Sequence, residues 1–190
     1  KGEYLARELK IAELSGLKFA RERYRANHIF SIPDVLEFDE LKGKSDALDA
    51  MIRVYRGEHE HGIGTMALVC PSPPWMRDDG AKNKVPDNLF DAYKMYFESG
   101  QNLGQWVEVW EVWNEMDLPS FYTGTTSEYA SFLKAAYWGL HDGEEDPVIS
   151  ISSLATEPNE YANSLFENRV QGYFDVFNYH TYGDPGSQYA

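Results

Sequence analysis

The chain alternates between two spacings of apolar side chains. Leu5, Leu9, Ile11, Ala12 and Leu14 recur at helical spacing and Gly16 supplies a stop, which predicts a helix over 3–14 and a strand over 17–24 after it. Ser45 is placed to cap a helix through Ala47, Leu48, Met51, Ile52 and Tyr55, and Gly62 and Gly64 lead into a strand over 65–70. Pro86 and Asp87 open a third helix with Leu89, Phe90, Tyr93, Met95, Tyr96 and Phe97 on its buried side. A Val- and Trp-rich strand over 107–115 comes next. Ser127 then caps a helix carrying Tyr129, Phe132, Leu133, Ala136, Tyr137 and Leu140. Residues 148–154 read as a strand, 161–166 as a short helix and 174–179 as a fifth strand.

Strict alternation of helix and strand, with continuous apolar strands, predicts a parallel sheet covered by helices. Two architectures satisfy that order: a (β/α)8 TIM barrel and an open doubly wound sheet. The open sheet usually advertises a Gly-rich turn between a strand and a helix, and the nearest match, Gly62, Gly64 and Ala67, precedes a strand instead. Arg21, Trp75, Glu115, Glu157, His180 and Tyr182 all fall at or just past the carboxyl ends of predicted strands, where a barrel gathers its chemistry. The barrel is therefore the expectation.

Size and charge narrow the functions. With 190 residues and 43% apolar content the chain can bury one core, so 1–190 reads as a single domain. No apolar run approaches the ~20 residues that span a bilayer, and the first ten residues lack a signal-peptide core, so no membrane association is expected. With 31 acidic against 17 basic residues, the formal charge of -14 repels phosphate backbones, and nucleic acid is not an expected partner. The one cysteine, Cys70, excludes an internal disulfide and leaves the compartment open. A start at Lys1 and an end in a Gly- and Pro-containing loop suggest a piece cut at both ends.

The candidate chemistry centres on VEVWEVWNEMD at 107–117. Strand alternation puts Val107, Val109, Glu111, Trp113 and Glu115 on one side, and Glu108, Trp110, Val112 and Asn114 on the other. A carboxyl at the mouth of an apolar strand beside Trp113 loses hydration, which raises its pKa and suits it to general-acid work. The bland alternative is a strand-end Glu that caps a helix or pairs at the surface. Glu111 lies four residues from Glu115, roughly 13 Å along a strand, too far for the two carboxyls to act together on one bond.

WEVWNE at 110–115 and FDVFNYHTYG at 174–183 resemble the clan A glycoside hydrolases, most closely the family 39 type related to β-xylosidases. That resemblance implies a retaining, double-displacement hydrolase acting on a carbohydrate substrate, with Glu115 as acid/base and Asn114 binding the sugar 2-hydroxyl. His180 and Tyr182 match a substrate-facing His and Tyr of the sixth barrel strand. GLKFARE at 16–22 resembles the second strand, with Arg21 where an Arg supports the nucleophile, while Ala26 stands near where many relatives carry a Trp. Taken literally, the five strands are the second to sixth of eight, and the nucleophilic Glu of the seventh lies outside the chain. In-chain stand-ins are Glu22, Glu157 and Asp184, each more simply a solvated loop or strand-end charge. A non-catalytic carbohydrate-binding barrel, or an inactive fragment, is the alternative.

Other residues carry two readings each. Trp75, in the proline-stiffened PSPPWM loop, is either a flat platform for a sugar or an aromatic packed on its own barrel. Trp113 is a candidate for the sugar pocket, whereas Trp106, Trp110 and Trp138 read as core or helix-to-sheet packing. Arg21, on a buried strand, needs an anion: a catalytic carboxylate across the mouth, or a structural partner in Glu22 or Glu111. His59, Glu60 and His61 do not share a helix face, so no metal is expected. Without a nucleophile elbow or a phosphate loop, no esterase chemistry and no cofactor are expected either.

Overall fold

The structure, a computed structural model, describes residues 2–155, 160–180 and 182. Helix α1 (Gly2–Leu14) leads to β1 (Phe19–Tyr24), and two single-turn helices, α2 (Ala26–Ile29) and α3 (Phe38–Leu41), precede α4 (Asp46–Glu60). Then come β2 (Gly64–Val69), α5 (Leu89–Leu103), β3 (Val109–Asn114), α6 (Thr126–Gly143), β4 (Ile149–Ser153) and α7 (Glu160–Glu167).

The caps explain where the helices begin. Ser45 Oγ accepts from the Leu48 N–H at 3.3 Å, as its spacing predicts. Two other caps differ from the sequence expectation. Asn88, not Pro86 or Asp87, caps α5 by accepting from the Phe90 N–H at 3.0 Å. Helix α6 starts from Thr125 rather than Ser127, because Thr125 and Glu128 form a reciprocal box: Glu128 N–H to Thr125 Oγ1 at 3.2 Å, Thr125 N–H to Glu128 Oε2 at 2.6 Å. The buried stripe of α5 follows its later start and runs through Ala92, Met95, Tyr96, Ser99, Gly100 and Leu103. Leu89 and Phe90, expected inside, are exposed on its first turn. Helices α5 and α6 lie unusually close, since a Cβ at Gly139 or Gly143 would run into the carbonyl oxygen of Tyr93 or Phe97.

The sheet is parallel throughout, in the order β1-β2-β3-β4. A doubly wound sheet reverses its strand order at a switch point. Here neighbours in space are neighbours in sequence, and right-handed crossovers then leave the helices on one face, as in an arc of a barrel. The expected fifth strand is an irregular segment. It touches β4 through isolated parallel bridges at Ser150↔Val176 and Leu154↔Tyr179. Side chains carry part of that pairing: the Asp175 carboxylate accepts from the Ile149 N–H at 2.9 Å.

The core lies between sheet and helices, with Tyr24, Tyr55, Tyr96, Trp110, Tyr129 and Phe132 fully buried in one cluster. Trp110 packs as expected and donates to Glu144 at 2.8 Å. Trp138, expected in the packing, stands on the outer side of α6 and is 54% exposed. No helix among the described residues is long and apolar enough to cross a membrane.

Candidate active site

The alternation expected along β3 breaks at Trp113. Its φ is +80°, a conformation that bulky residues rarely adopt, and Glu115 follows at +44°. Reversing the backbone there turns Asn114 to the side of Glu111, and one guanidinium grasps both. Arg21 Nε and Nη2 donate to Glu111 at 2.6 and 2.9 Å, and Nη2 also reaches Asn114 Oδ1 at 2.8 Å and Ser153 Oγ at 3.3 Å.

Glu111 is wholly buried and fully occupied. Besides Arg21, its Oε1 accepts from the Ser153 N–H at 3.2 Å and from the Asn178 amide at 3.2 Å. The anion that Arg21 requires is thus the structural partner Glu111, one of the alternatives open in sequence. Because Arg21 fixes the Asn114 carbonyl, the Asn114 amide nitrogen is left to point at Glu115 Oε2, 3.4 Å away. Glu111, Arg21, Asn114 and Glu115 form a chain of contacts across the carboxyl ends of β1 and β3.

Glu115 is itself held by the segment after β4. His180 Nδ1 lies 2.5 Å from Glu115 Oε1, and the Tyr182 hydroxyl donates to the same oxygen at 2.6 Å. A carboxylate oxygen only accepts, so His180 presents Nδ1 as N–H, and the 3.0 Å contact between Tyr182 and His180 spends no proton. Burial pushes the Glu115 carboxyl up. The hydrogen bonds from Tyr182 and His180, the His180 charge and the Asn114 amide together outweigh it, and the group titrates below its usual range. This corrects the expectation that desolvation dominates and raises the pKa.

Five of the sequence candidates, Arg21, Asn114, Glu115, His180 and Tyr182, therefore come together. Two do not present themselves as expected. Trp113 is 2% exposed, edge-on to Tyr122 and Phe132, with its N–H given to Phe121 O at 3.2 Å; it backs the Asn114-Glu115 corner and offers no open face. Trp75 sits in a 3-10 turn, Pro74–Met76, packs on the core and donates its N–H to Phe30 O at 2.7 Å, which is the packing reading and not the platform. Of the second-carboxyl stand-ins, Glu22 points to the helix layer, where it bonds with Glu58. Glu157 and Asp184 lie outside the described residues.

The sequence reading missed Ser153, Asn178 and Tyr129. The first two complete the Glu111 cage, and only the FDVFNYH motif carried a hint of Asn178. The Tyr129 hydroxyl bridges two strands, donating to Val112 O at 2.8 Å and accepting from the Ser152 N–H at 2.9 Å. Among the described residues no group of three or more His, Cys, Asp or Glu could hold a metal ion.

No protein-family profile and no curated protein matches the chain. Among solved structures it is similar to the β-glucosidase of Pyrococcus furiosus, with 17% identity over 92% of this chain and 52% of that one, at a TM-score of 0.63. The glycoside hydrolase family 30 subfamily 8 xylanase of Clostridium acetobutylicum matches 95% of this chain with 47% of its own, at 15% identity and TM-score 0.70. A glucosidase of Croceicoccus marinus matches 93% with 40%, at 14% identity and TM-score 0.70. The chain thus spans about half, or less, of the structures it resembles. At such identities the likeness establishes the fold: a parallel α/β sheet with helices, in the manner of part of a TIM barrel.

Proposed function

We propose that this chain is part of a retaining glycoside hydrolase barrel of the clan A type, most like family 39, holding roughly the second to sixth β/α units. Glu115 is its acid/base. The observation that carries the reading is the convergence of Asn114, His180 and Tyr182 on a Glu115 carboxyl at the carboxyl end of a parallel barrel-type strand. The names of the solved neighbours, β-glucosidase and xylanase, support a sugar substrate.

In this reading Oε1, with two strong donors, anchors the carboxyl, and Oε2, with one long contact from Asn114, is the oxygen that passes a proton to the leaving group. An ionised Glu115 suits the second half of double displacement, where it takes a proton from water. The first half needs it protonated. A nucleophilic carboxylate about 5 to 5.5 Å away supplies the missing influence, because a nearby like charge raises the pKa. We assign that nucleophile to polypeptide beyond this chain. Arg21 and Glu111 act through Asn114 and are positioning residues, and Asn114 binds the sugar 2-hydroxyl.

The test is hydrolysis of aryl glycosides by the polypeptide that supplies the remaining strands, beside Glu115→Ala. General-acid catalysis predicts a loss of ~10²-fold or more on substrates with poor leaving groups and a smaller loss on good ones. Equal losses on both refute the role of Glu115. Robust hydrolysis by this chain alone refutes the external nucleophile.

A further inference from the structure

Trp113 holds a backbone conformation that bulky residues avoid, with φ at +80°. Such a conformation persists only where the surroundings over-determine it. Much of what surrounds it comes from the turns between β3 and α6. Phe121 O accepts the indole N–H at 3.2 Å, and the Tyr122 ring stands edge-on to the indole with 5.8 Å between centroids. The same turns start from Glu115, whose carbonyl accepts from the Leu118 N–H at 3.0 Å, and Leu118 O accepts from the N–H groups of Phe121 and Tyr122 at 2.9 Å each. Whatever fixes 118–123 therefore fixes the corner that presents the Glu115 carboxyl.

The connection between β2 and α5 supplies part of that fixing. From Arg77 to Asn88 it has no helix or strand, yet its ends are tied through one guanidinium. Arg77, with a side chain only 9% exposed, forks onto Asp79 with Nε at 2.8 Å and Nη2 at 3.1 Å. Its Nη1 donates to Val85 O at 2.7 Å and lies 2.9 Å from Asp87 Oδ1. The Asp87 carboxylate also takes the Asp78 N–H at 2.9 Å, and the Asp87 N–H goes to Met76 O at 3.0 Å. The loop closed in this way offers Asn83 to the turns after β3. Asn83 O accepts from the Thr123 N–H at 2.9 Å, its Oδ1 from the Thr123 hydroxyl at 3.4 Å, and its Nδ2 donates to Pro119 O at 3.4 Å. Three contacts from one residue bracket the stretch that seats Trp113.

We propose that Arg77 and Asn83 are positioning residues for Glu115: Arg77 closes the 77–87 loop, Asn83 clasps the 118–123 turns, and those turns hold Trp113 in its left-handed conformation and Glu115 against His180 and Tyr182. The consequence for catalysis rests on the acid/base reading, whereas the clasp acts with or without a substrate. A lysine at 77 would keep the charge and lose the planar fork that bridges Asp79, Val85 and Asp87. A reacting carboxyl misplaced by ~1 Å can cost on the order of 10²-fold in rate, so a remote loop of this kind is felt at the bond being broken.

The experiment follows two signals by NMR in this chain: solvent exchange of the Trp113 indole N–H, and the titration of Glu115. The variants are Arg77→Gln, Asn83→Ala and Lys84→Gln. Lys84 reaches only the outer side of Asp79, at 3.5 Å, so its variant removes the same charge from the same loop and leaves the Arg77 ring closed. In Arg77→Gln the Trp113 indole should exchange ~10-fold faster or more, and in Asn83→Ala, which keeps the main-chain bond from Thr123, by a smaller factor. The Glu115 pKa should rise in both, because the donors from Tyr182 and His180 lose their aim. Lys84→Gln should match the parent, and the Trp110 indole, bonded to Glu144, should keep its rate throughout. Unchanged Trp113 exchange and Glu115 titration in Arg77→Gln overturn the proposal. So does an equal change in Lys84→Gln, which makes the effect one of charge, or an equal acceleration at Trp110, which makes it one of general stability. Should Arg77→Gln fail to fold by circular dichroism, Asn83→Ala decides by the same signals. In the polypeptide that supplies the remaining strands, Arg77→Gln should lower kcat on poor leaving groups with KM little changed. Altered NMR signals with kcat untouched keep the clasp and overturn the acid/base role of Glu115.

Discussion

Replacing Glu58 by glutamine should make the protein more stable at alkaline pH and leave it unchanged in acid. Glu58, on α4, is 5% exposed and faces the sheet, where Thr65 Oγ1 donates to it at 2.5 Å. Its other neighbours are acids: Glu22 of β1 in hydrogen-bond contact, and Glu108, which accepts from the Thr65 N–H. Burial, with Glu22 and Glu108 adding to it against the Thr65 bond, pushes the Glu58 carboxyl up to about 7 from the 4.5 of an ordinary glutamate.

Below the lower value the carboxyl is protonated in both states and costs nothing. Between the two, the unfolded chain has released its proton while the folded one keeps it, so stability falls by ~1.4 kcal/mol per pH unit. Above about 7 the whole penalty, roughly 3 kcal/mol on that slope, is present. Glutamine mimics the protonated acid, with an oxygen for the Thr65 hydroxyl and an N–H for Glu22. Urea unfolding at pH 4.5, 6, 7 and 8 should find Glu58→Gln equal to the parent at the acid end and about 2 to 3 kcal/mol more stable at the alkaline end. A difference that is constant across pH, or that favours the parent at pH 8, refutes a shared proton between α4 and the sheet.

Three further outcomes follow from the geometry. Tyr182→Phe removes a donor to the charged form of Glu115, so the Glu115 pKa should rise, read by NMR titration of labelled glutamate side chains; an unchanged or lower value refutes the clamp. Glu111→Ala leaves Arg21 half-buried without its anion and strips acceptors from Ser153 and Asn178, and chemical denaturation should show a loss of about 3 to 5 kcal/mol. Gly139→Ala forces α6 away from the Tyr93 carbonyl and should cost about 1 to 3 kcal/mol by the same assay, whereas an Ala on the exposed face of α6 should not.

What the sequence disclosed, it disclosed through periodicity and local chemistry. Four of the five expected strands, and their order among the helices, were legible because apolar spacing and caps such as Ser45 act within a few residues. The meeting of Arg21, Asn114, Glu115, His180 and Tyr182 was legible through motif likeness and strand-end position. Strand alternation failed at Trp113, because one left-handed backbone angle swaps which face each later residue takes, and no propensity marks a tryptophan for that conformation. The direction of the Glu115 pKa was misread for a related reason. Desolvation can be guessed from an apolar context, but two donors on one oxygen depend on a segment 65 to 67 residues away. Trp75 and Trp113 look alike as letters, and only their N–H partners reveal that both are structural.

The phenol of Tyr129 ties helix α6 to two strands, β3 and β4, that already pair with each other. Its oxygen sits between the strand that carries Asn114 and the strand that carries Ser153, while its Cα rides on α6. Any sliding of that helix is therefore felt as a change in the gap between the two oxygens that grip the Arg21 guanidinium, and through Asn114 in the aim of Glu115. Substitutions on the far side of α6 acquire a route to the Glu115 carboxyl one hydroxyl wide.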